Sequence, residues 1–411
     1  MKKLFSKAKK INHLHIMAVA FLLFVFYIGT VILLPTYREL LHLFLVIEGG
    51  LSIKVQTIAP ILKDQYTDIL EFSGPVTRNK GSYINLNGLM ARAMGQRYMN
   101  ERVKLDNGHL SYFGGDPDLS IELAVTRVTR FAQEQKARGK HFLFVMGPGQ
   151  FPLHEDIMPT GFDFYFVQQS NDFMSALREN NVPVLDLREE LIKDGISQSE
   201  AVFVTDHHWR PETGFWAYAK IVDYLMQEGV IDPIDPGYTD IGQFNVDVHE
   251  NWFLGTAGKR TGIYFAGVDD FSIISPNFDT HLSVEIPSEA FSMQGDFLTA
   301  TFDHSLNYLD YFNANPYHAY GHSGHGLTQY RNEHSPSDLR VLCIGDSYAI
   351  VPFTFLSLVA RDNDHFDLRL YHGEFFEHYL EFDPDVVIIL IGPDGPVSEN
   401  TTLDFFNDRH E

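Results

Sequence analysis

Short apolar segments alternate with longer amphipathic segments through much of this 411-residue chain. In residues 119–140 the apolar positions recur at three- and four-residue steps, which predicts a helix, and the following string HFLFVMGPG predicts a short strand and a turn. The same patterns predict helices over residues 166–181 and 211–227 and strands over residues 182–187, 339–344 and 385–391. Strands that alternate with helices favour an α/β fold, in which a mostly parallel sheet is covered on both faces. Reactive groups in such folds lie at the carboxyl ends of the strands.

Two stretches of the chain lack this alternation. Residues 231–335 are rich in Asp, Asn, Gly, His and Tyr, and we interpret them as an insertion or a set of long loops over the active face. Residues 36–115 mix apolar patches with polar turns, and we interpret them as a stalk with peripheral elements. The main domain is therefore predicted to span residues 116–411.

The amino terminus has the pattern of a membrane anchor. Five lysines and no acidic residue occupy the first ten positions, and residues 16–34 form the uncharged run IMAVAFLLFVFYIGTVILL. Such a run can cross the roughly 30 Å hydrocarbon core of a membrane as a helix, and its flanking lysines stay cytoplasmic. We therefore expect a cytoplasmic arm at residues 1–14, a single transmembrane helix at residues 15–35 and an extracytoplasmic main domain. A cleaved signal peptide and a buried core helix are the alternatives.

The composition excludes some functions. The formal net charge is −23 although the amino-terminal arm is basic, so the rest of the chain is strongly acidic. Nucleic-acid binding depends on Lys and Arg contacts to phosphate, so we expect no nucleic-acid partner, and tight binding to anionic lipid or polyanions is disfavoured. The single cysteine, Cys343, excludes an internal disulfide and a multi-cysteine metal site, and its apolar neighbours predict a buried thiol.

A serine lies at a predicted strand-to-helix turn. The string GDSY at residues 345–348 follows the strand LRVLCI and precedes an apolar helical stretch. Gly345 permits a tight turn, and the amino terminus of the next helix offers backbone N–H groups to a developing oxyanion. Ser347 is therefore a candidate nucleophile, and an ordinary helix cap formed by Asp346 or Ser347 is the alternative.

An acid and a histidine lie two positions apart in the string TDHHW at residues 205–209. A serine becomes a strong nucleophile only when a base removes its proton and a third group orients that base. His208 can serve as the base and Asp206 as the orienting acid. Two alternatives remain open, because His207 could be the base instead, or the cluster could ligate a metal ion.

These strings and several flanking ones resemble the DHHW family, which is related to the alginate O-acetylation proteins within the SGNH hydrolase-like superfamily. TDHHW and GDSY match the two short motifs of the family. Longer matching strings follow in the family's order over about residues 115–395: FVMGPGQFPLHEDIMP, VPVLDLREEL, WFLGTAGKRTG, DDFSIISP and LRLYHGEFFEHYLEFDPDVVIIL. The resemblance therefore covers most of the chain after the predicted anchor, which is far more specific than either motif.

The resemblance implies an SGNH-like three-layer α/β/α fold and three catalytic roles. Ser347 matches the nucleophile, His208 the base and Asp206 the orienting acid. The acid and the base precede the serine, as in the alginate acetylation branch, whereas in most SGNH hydrolases they follow it. The chain departs from that branch at His207, where the branch more often has Thr.

The oxyanion site is less well specified by the sequence. SGNH enzymes usually add a Gly amide and an Asn side chain to it, and no Asn of this chain has an obvious equivalent position. In the loop at residues 255–262, Gly255 together with Lys259 and Arg260 could supply backbone donors or a cation near the site. A glycine-rich surface turn is the alternative.

Other side chains are candidates for contact with a substrate. His207 and Trp209 lie beside the predicted base, and Trp209 could stack on a sugar ring or pack in the core. The string YHAYGHSGHG contains His318, His322 and His325, whose glycine neighbours predict a loop. These three histidines could bind a metal ion, but we favour solvent-exposed or substrate-lining roles. We predict no metal and no cofactor.

The resemblance implies an O-acyltransferase, most simply an O-acetyltransferase, that modifies hydroxyl groups of an extracytoplasmic polysaccharide or cell-envelope glycan. His208 would take the proton of Ser347, giving an acyl-serine intermediate that a sugar hydroxyl then attacks. Because acetyl-CoA is absent outside the cytoplasm, the resemblance also implies a membrane-bound O-acyltransferase partner that supplies the acyl group. A glycan esterase with the same triad and a catalytically silent polysaccharide-binding scaffold are the alternatives.

Overall fold

The computed structural model describes residues 80–114, 118, 120–153, 157–395 and 403, together with Leu23. The predicted cytoplasmic arm and, apart from Leu23, the predicted transmembrane helix lie outside these residues, as does most of the predicted stalk. In the described part of the chain, no helix is long and apolar enough to cross a membrane. The domain boundaries given above therefore stay predictions.

Helices in these residues are numbered in chain order, short 3-10 turns aside. They are α1 (Lys80–Ala93), α2 (Glu122–Ala137), α3 (Phe166–Glu179), α4 (Leu187–Asp194), α5 (Gln198–Ala201), α6 (Pro211–Gln227), α7 (Thr256–Thr261), α8 (Ile263–Ala266), α9 (Phe297–Thr301), α10 (Ile350–Leu356) and α11 (Phe375–Phe382). Pro211 occupies the first position of α6, where its missing N–H leaves no helical bond unmade. The predicted helix over residues 211–227 is confirmed, and those over 119–140 and 166–181 are confirmed with shorter ends.

Strands are numbered in the same way. They are β1 (Tyr98–Met99), β2 (Arg102–Lys104), β3 (Leu110–Ser111), β4 (His141–Met146), β5 (Val184–Asp186), β6 (Phe244–Phe253), β7 (Asp269–Pro276), β8 (Leu282–Ile286), β9 (Phe291–Gly295), β10 (Leu327–Arg331), β11 (Arg340–Gly345), β12 (Asp362–Phe366) and β13 (Val386–Ile391). The main sheet has eight strands in the order β5-β4-β13-β11-β12-β10-β8-β9. Its pairings from β5 to β12 are parallel, and those from β12 to β9 are antiparallel.

The structure adds an antiparallel part to the predicted parallel sheet. The sheet is mixed, and β8, β9 and β10, which extend it, come from residues 231–335. In β8, Leu282, Val284 and Ile286 alternate with less buried residues, which is the pattern of a strand with one covered face. The same stretch also supplies β6 and β7, which pair with each other in a separate two-stranded sheet.

Each face of the main sheet has its own hydrophobic core. Along β4, Leu143 and Val145 pack on the side of α6 and α10, while Phe144 and Met146 pack on the side of α2, α3 and α11. This alternation follows from the period of two in a strand, and it builds three layers with the sheet in the middle. The thiol of Cys343 on β11 is fully buried, as predicted, and burial raises its pKa.

The parallel strands bring the chemistry-bearing loops to one edge of the sheet. Strands β4, β13, β11 and β12 are consecutive neighbours and run in the same direction. Their carboxyl ends therefore lie side by side, and the loop that starts at each end opens onto the same edge. The turn after β11 contains the candidate nucleophile.

Candidate active site

The turn after β11 holds Ser347 at the edge of the sheet. A Cβ at Gly345 would lie 2.2 Å from the nearest side-chain atom, so only glycine fits there without movement. The carboxylate of Asp346 accepts a hydrogen bond from the backbone N–H of Tyr348 (2.9 Å) and another from Gly392 (2.9 Å), at the end of neighbouring β13. Ser347 thus opens a short 3-10 turn that leads into α10, and the adjacent strand also fixes this turn.

Ser347, His208 and Asp206 form a continuous hydrogen-bonded chain. Ser347 Oγ lies 2.6 Å from His208 Nε2, and His208 Nδ1 lies 2.5 Å from Asp206 Oδ1. Both Asp206 and His208 are buried. With its proton on Nδ1, the imidazole donates a hydrogen bond to the carboxylate, which leaves Nε2 free to accept one from the hydroxyl of Ser347. The fold thus brings together two strings that are 139 residues apart in sequence.

The surroundings favour an ionised acid and a neutral base. Burial by itself would raise the pKa of Asp206, but the charges of His208 and His207 and the N–H of Thr256 hold this pKa well below its usual range. Burial, reinforced by the charge of His207, lowers the pKa of His208 to about 4 against the opposing effect of Asp206. The neutral imidazole is the form that can accept a proton from serine.

Both carboxylate oxygens of Asp206 are held by other groups besides the imidazole. The backbone N–H of Thr256 donates to Oδ2 (2.5 Å), and the backbone N–H of His208 donates to Oδ1 (3.1 Å). The backbone carbonyl of Asp206 accepts a hydrogen bond from the buried side chain of Gln150 (2.8 Å) in the loop after β4. The Asp206 side chain therefore has little freedom to turn away from His208.

Gly255 lies directly beneath the acid. Its backbone N–H donates to Thr205 Oγ1 (2.8 Å), and a Cβ at this position would lie 2.2 Å from Asp206 Cβ and 2.5 Å from Asp206 Oδ2. The sequence prediction placed this residue among the oxyanion donors. In the structure its N–H is directed to Thr205, and the segment predicted as a glycine-rich loop is helix α7, whose first residue, Thr256, donates to Asp206.

A second buried acid secures the DHHW loop. Asp269 on β7 accepts hydrogen bonds from the backbone N–H groups of Val204 (2.9 Å) and Thr205 (2.8 Å) and from Thr205 Oγ1 (2.6 Å). Arg210 approaches the same carboxylate at 3.7 Å. Burial raises the pKa of Asp269, whereas these donors lower it. Asp269 is a positioning residue because it acts on the loop and not on the reacting atoms.

Two tyrosines enclose the histidines. The ring of Tyr317 stacks on His208 at 4.3 Å between centroids, and its hydroxyl donates to the backbone carbonyl of Ser347 (3.2 Å). The hydroxyl of Tyr348 donates to the backbone carbonyl of His207 (2.5 Å). The imidazole of His208 is therefore shielded on one face and held in its plane.

The remaining predicted candidates occupy different positions. Lys259 Nζ donates to the backbone carbonyl of Ala314 (2.6 Å), and Arg260 pairs with Glu101 on the surface (3.0 Å). Trp209 is fully buried, and its ring packs edge-on against Tyr348, so the structure places it in the core. His207 is partly exposed next to the triad, with Nδ1 at 3.4 Å from Asp206.

One of the two suggested metal sites has ligand atoms close enough together to hold an ion. Among the described residues, Asp206, His207 and His208 are the group of carboxylate and imidazole ligands that could hold an ion, with their ligand atoms within 4.8 Å of one another. Both ring nitrogens of His208 are already engaged by the acid and by serine, which favours the triad arrangement. His318, His322 and His325 do not join such a group in this part of the chain.

Several residues of the site were not identified from the sequence. Tyr317, Asp269 and Gln150 come from segments far from both motifs, and no local pattern marks them.

A cation, Arg369, lies at the same edge of the sheet as Ser347. Phe366 of β12 pairs with Ile344 of β11, and Arg369 and Ser347 each follow three residues after these paired residues. Its guanidinium is paired with Asp367 at 2.6 Å, and its charge acts on Asp346 and His318. The string DLRL after a strand was the available signal for this cation.

Comparisons with known proteins also point to the SGNH hydrolase-like proteins that the sequence resembles. The model of the SGNH hydrolase-like domain of acetyltransferase AlgX matches residues 116–238. This match confirms the resemblance to SGNH hydrolase-like proteins. The matched segment contains Asp206 and His208, whereas Ser347 lies beyond it. No curated protein sequence matches the chain.

Solved structures share this SGNH-like fold. Bacillus cereus PatB1 superposes with a TM-score of 0.61 at 16% identity, over 75% of this chain and 98% of PatB1. A DHHW family protein from Eubacterium siraeum superposes with a TM-score of 0.56 at 15% identity, over 76% of this chain and 96% of that protein. At these identities the likeness concerns the fold.

Replacing Gly255 with alanine is expected to reduce activity by about 10²-fold, because the new Cβ displaces Asp206 and a shift of about 1 Å in a catalytic group has that effect. Overpacking should also lower the free energy of unfolding by about 1–3 kcal/mol. Initial rates and chemical denaturation would measure the two effects. Gly237→Ala is the matched control, since its Cβ would approach side-chain atoms no closer than 3.2 Å (Asp235 Oδ1) and 3.6 Å (Gln243 Cγ). Equal rates in Gly255→Ala and Gly237→Ala would contradict the conclusion that Gly255 holds Asp206 in position.

His207→Gln is expected to keep at least about a tenth of the activity and to shift the acidic limb of the pH–rate profile to higher pH. The base works when neutral, so activity is lost as the pH falls through the pKa of His208. That pKa is lowered from 6.5 partly by the charge of His207, and removing this charge raises it. Profiles of kcat/KM for acetyl release would measure the shift, with His208→Gln expected to be inactive throughout. The reverse result would assign the base to His207.

Proposed function

We propose that this protein is a membrane-anchored, extracytoplasmic O-acetyltransferase that modifies hydroxyl groups of a cell-envelope or exported polysaccharide through an acyl-serine intermediate. The observation that carries the proposal is the hydrogen-bonded chain from Ser347 through His208 to Asp206, with 2.6 Å between Oγ and Nε2. An SGNH-like fold with this geometry supports acyl transfer, and the match to an acetyltransferase domain model supports acetyl as the group transferred.

The first half of the reaction loads the enzyme. Ser347 Oγ attacks the carbonyl carbon of the acyl donor while His208 Nε2 takes the hydroxyl proton, and Asp206 stabilises the resulting imidazolium. The backbone N–H groups of Tyr348 and Ala349 already donate to Asp346, so we assign the backbone N–H of Ser347 to the developing oxyanion. When the tetrahedral intermediate collapses, the bond to the leaving group breaks, and this group takes the proton from His208. The product is an ester between the acyl group and Ser347.

The second half transfers the acyl group to the acceptor. A sugar hydroxyl occupies the place of the leaving group, and His208 Nε2, again neutral, removes its proton. The hydroxyl oxygen attacks the ester carbonyl, the bond to Ser347 Oγ breaks, and the serine recovers its proton from His208. Water in the same place would give hydrolysis, so transfer depends on the acceptor excluding water.

The proposal also includes a membrane anchor and a source of the acyl group. The uncharged run at residues 16–34, with lysines before it, supports a single cytoplasm-to-exterior crossing and an extracytoplasmic catalytic domain. An acyl group would then reach Ser347 from a membrane-bound O-acyltransferase partner that carries it across the membrane. The polysaccharide acceptor rests on the resemblance to alginate O-acetylation proteins.

The test uses the full chain in detergent micelles with 4-nitrophenyl acetate as the donor. Intact-protein and peptide mass spectrometry would follow an acetyl group on Ser347, and the acceptors would be oligosaccharides of N-acetylglucosamine and of uronic acids. We expect an adduct on Ser347 that forms without acceptor and whose loss, when an acceptor is added, equals the gain of acetyl on sugar.

Two other outcomes separate the alternatives. An adduct that decays only to acetate, at a rate independent of every oligosaccharide, would identify an esterase. A folded protein that forms no adduct and releases no acetate would identify a silent scaffold. His208→Gln provides the control for chemical acetylation, because an adduct that forms equally in that variant does not report catalysis.

A further inference from the structure

Helix α1 exposes an apolar face. Gly88 and Ala91 on its opposite side are buried, and a Cβ at Gly88 would lie 2.3 Å from the backbone carbonyl of Thr261 and 3.1 Å from Phe265 Cβ. The exposed large side chains recur at three- and four-residue steps: Leu86 (43%), Leu89 (46%), Met90 (54%) and, just beyond the helix, Met94 (64%). Such spacing lays the four side chains along one stripe of the helix surface.

A cluster of cations lies around this helix in an otherwise acidic protein. The cluster consists of Arg92, Arg97, Arg102, Lys104 and Arg260. Two of them are paired, Arg97 with Asp106 at 2.7 Å and Arg260 with Glu101 at 3.0 Å. The other three donate to backbone carbonyls rather than to carboxylates. Burial lowers the pKa of Arg102, and the nearby charge of Arg260 lowers it further. Burial also lowers the pKa of Lys104, and the nearby charges of Arg92 and Arg97 add to this effect. The surface is therefore locally positive, although the chain as a whole carries −23.

We propose that the exposed face of α1 and the surrounding cations form a docking surface for a membrane that contains anionic lipid. An amphipathic helix with apolar side chains on one face and cations beside them lies in the plane of a lipid interface, with its apolar face about 5–10 Å into the headgroup region. Tyr98 and Tyr264, both exposed beside the helix, are of the type that accumulates at this interface. Attraction to an anionic surface strengthens the contact by about fivefold per cation.

The position of the surface along the chain favours a membrane over other occupants. Forty-five residues, 35–79, separate the uncharged run at residues 16–34 from Lys80. Chain length therefore does not prevent the domain from approaching the membrane that holds the predicted anchor. The positive charge of the cluster matches the negative charge of lipid headgroups, whereas a second copy in a two-fold symmetric contact would bring an equal cluster against it.

Docking at this surface would also orient the active site. Helix α1 packs on Thr261 and Phe265, at the end of α7 and in α8. The first residue of α7, Thr256, donates its N–H to Asp206 Oδ2. One short helix therefore separates the docking surface from the triad. The active site would be held close to the membrane, where a membrane-bound acyl donor is located.

A single introduced cysteine can report on this contact. Cys343 is fully buried, so a fluorophore attached to Met90→Cys labels one position. The full chain would be reconstituted in vesicles of phosphatidylcholine with phosphatidylglycerol, and brominated lipids and aqueous iodide would compete as quenchers. Leu380→Cys is the matched control, because Leu380 is 55% exposed on α11 and Met90 is 54% exposed.

We expect the label at position 90 to be quenched several-fold more by brominated lipid than the label at position 380. The difference should shrink in pure phosphatidylcholine and in high salt, since both weaken attraction to the cations. Equal lipid quenching at the two positions would overturn the proposal. Protection of position 90 from iodide that depends on protein concentration would overturn it too, because it would identify a second copy as the occupant. Because the readout is the depth of a label, failure here is distinct from failure of the proposed acyl transfer.

Discussion

Ser347→Ala is expected to lower the rate of acetyl release by about 10⁴- to 10⁶-fold and to abolish the acyl adduct. The substitution removes the one oxygen that lies 2.6 Å from His208 Nε2, so no nucleophile remains on the base. Within the described residues the Ser347 side chain makes no other hydrogen bond, so the fold should be retained. Initial rates and mass spectrometry of the full chain would measure both effects, and circular dichroism would check the fold.

The matched control for this change is Ser292→Ala. Ser292 is exposed on β9, at the antiparallel end of the sheet, and its substitution should leave rate and adduct unchanged. A folded Ser347→Ala variant with native rates would contradict a serine nucleophile. It would leave the metal-ligand hypothesis for Asp206, His207 and His208 as the explanation for the cluster.

Asp206→Asn is expected to lower kcat by about 10⁴-fold with little change in the fold. The amide can present its N–H₂ to His208 Nδ1, which would move the ring proton to Nε2. Nε2 could then no longer accept the proton of Ser347. The amide oxygen can still accept the N–H of Thr256, so the loop should remain in place. Rates at several pH values would measure the effect, since a tautomer defect persists at every pH.

Asp338→Asn is a suitable control, because the side chain of Asp338 is 97% exposed and lies at the opposite edge of the sheet, just before β11. If only the loss of a negative charge mattered, both substitutions would change kcat equally. If the orientation of His208 matters, only Asp206→Asn lowers kcat. Full activity in folded Asp206→Asn would contradict the role assigned to the acid.

Local sequence was sufficient to mark the two motifs whose side chains form the hydrogen-bonded chain. GDSY lies between an apolar strand and an apolar helix, and TDHHW lies just before a helix that begins with proline. In both cases the neighbouring residues determine the turn, so the sequence pattern alone predicts where the turn lies. The sequence does not determine that Oγ and Nε2 are 2.6 Å apart, because this distance depends on strand order in the sheet.

Polar strands were harder to recognise. The string DNDHF forms β12, a central strand, yet it has no apolar run and no alternation. Asp364 within it is fully buried and accepts hydrogen bonds from Gln329 (3.0 Å), Arg331 (2.6 Å) and His378 (2.6 Å). These partners come from a neighbouring strand and from α11, and they satisfy a carboxylate whose burial would otherwise be unfavourable. These partners lie too far from β12 along the chain for a local sequence pattern to predict them.

The glycine-rich loop shows the same limit within the site. Its composition indicated a tight turn near the chemistry, and the structure places Gly255 and Thr256 in contact with Asp206. The sequence could not decide which member of the triad the loop contacts. That choice depends on β7, whose Asp269 binds Thr205 and brings the loop and the DHHW turn together.

The sequence by itself determined the alternation of strands and helices, the reactive residue types and their order along the chain. These features depend on backbone propensity and on the period of apolar side chains, both of which act over a few residues. The tertiary structure alone decided the strand order, the mixed sheet, the stacking of Tyr317 on His208 and the support of Asp206 by Gly255. These features depend on close packing and on hydrogen bonds between distant segments, and such contacts form only when the whole chain is folded.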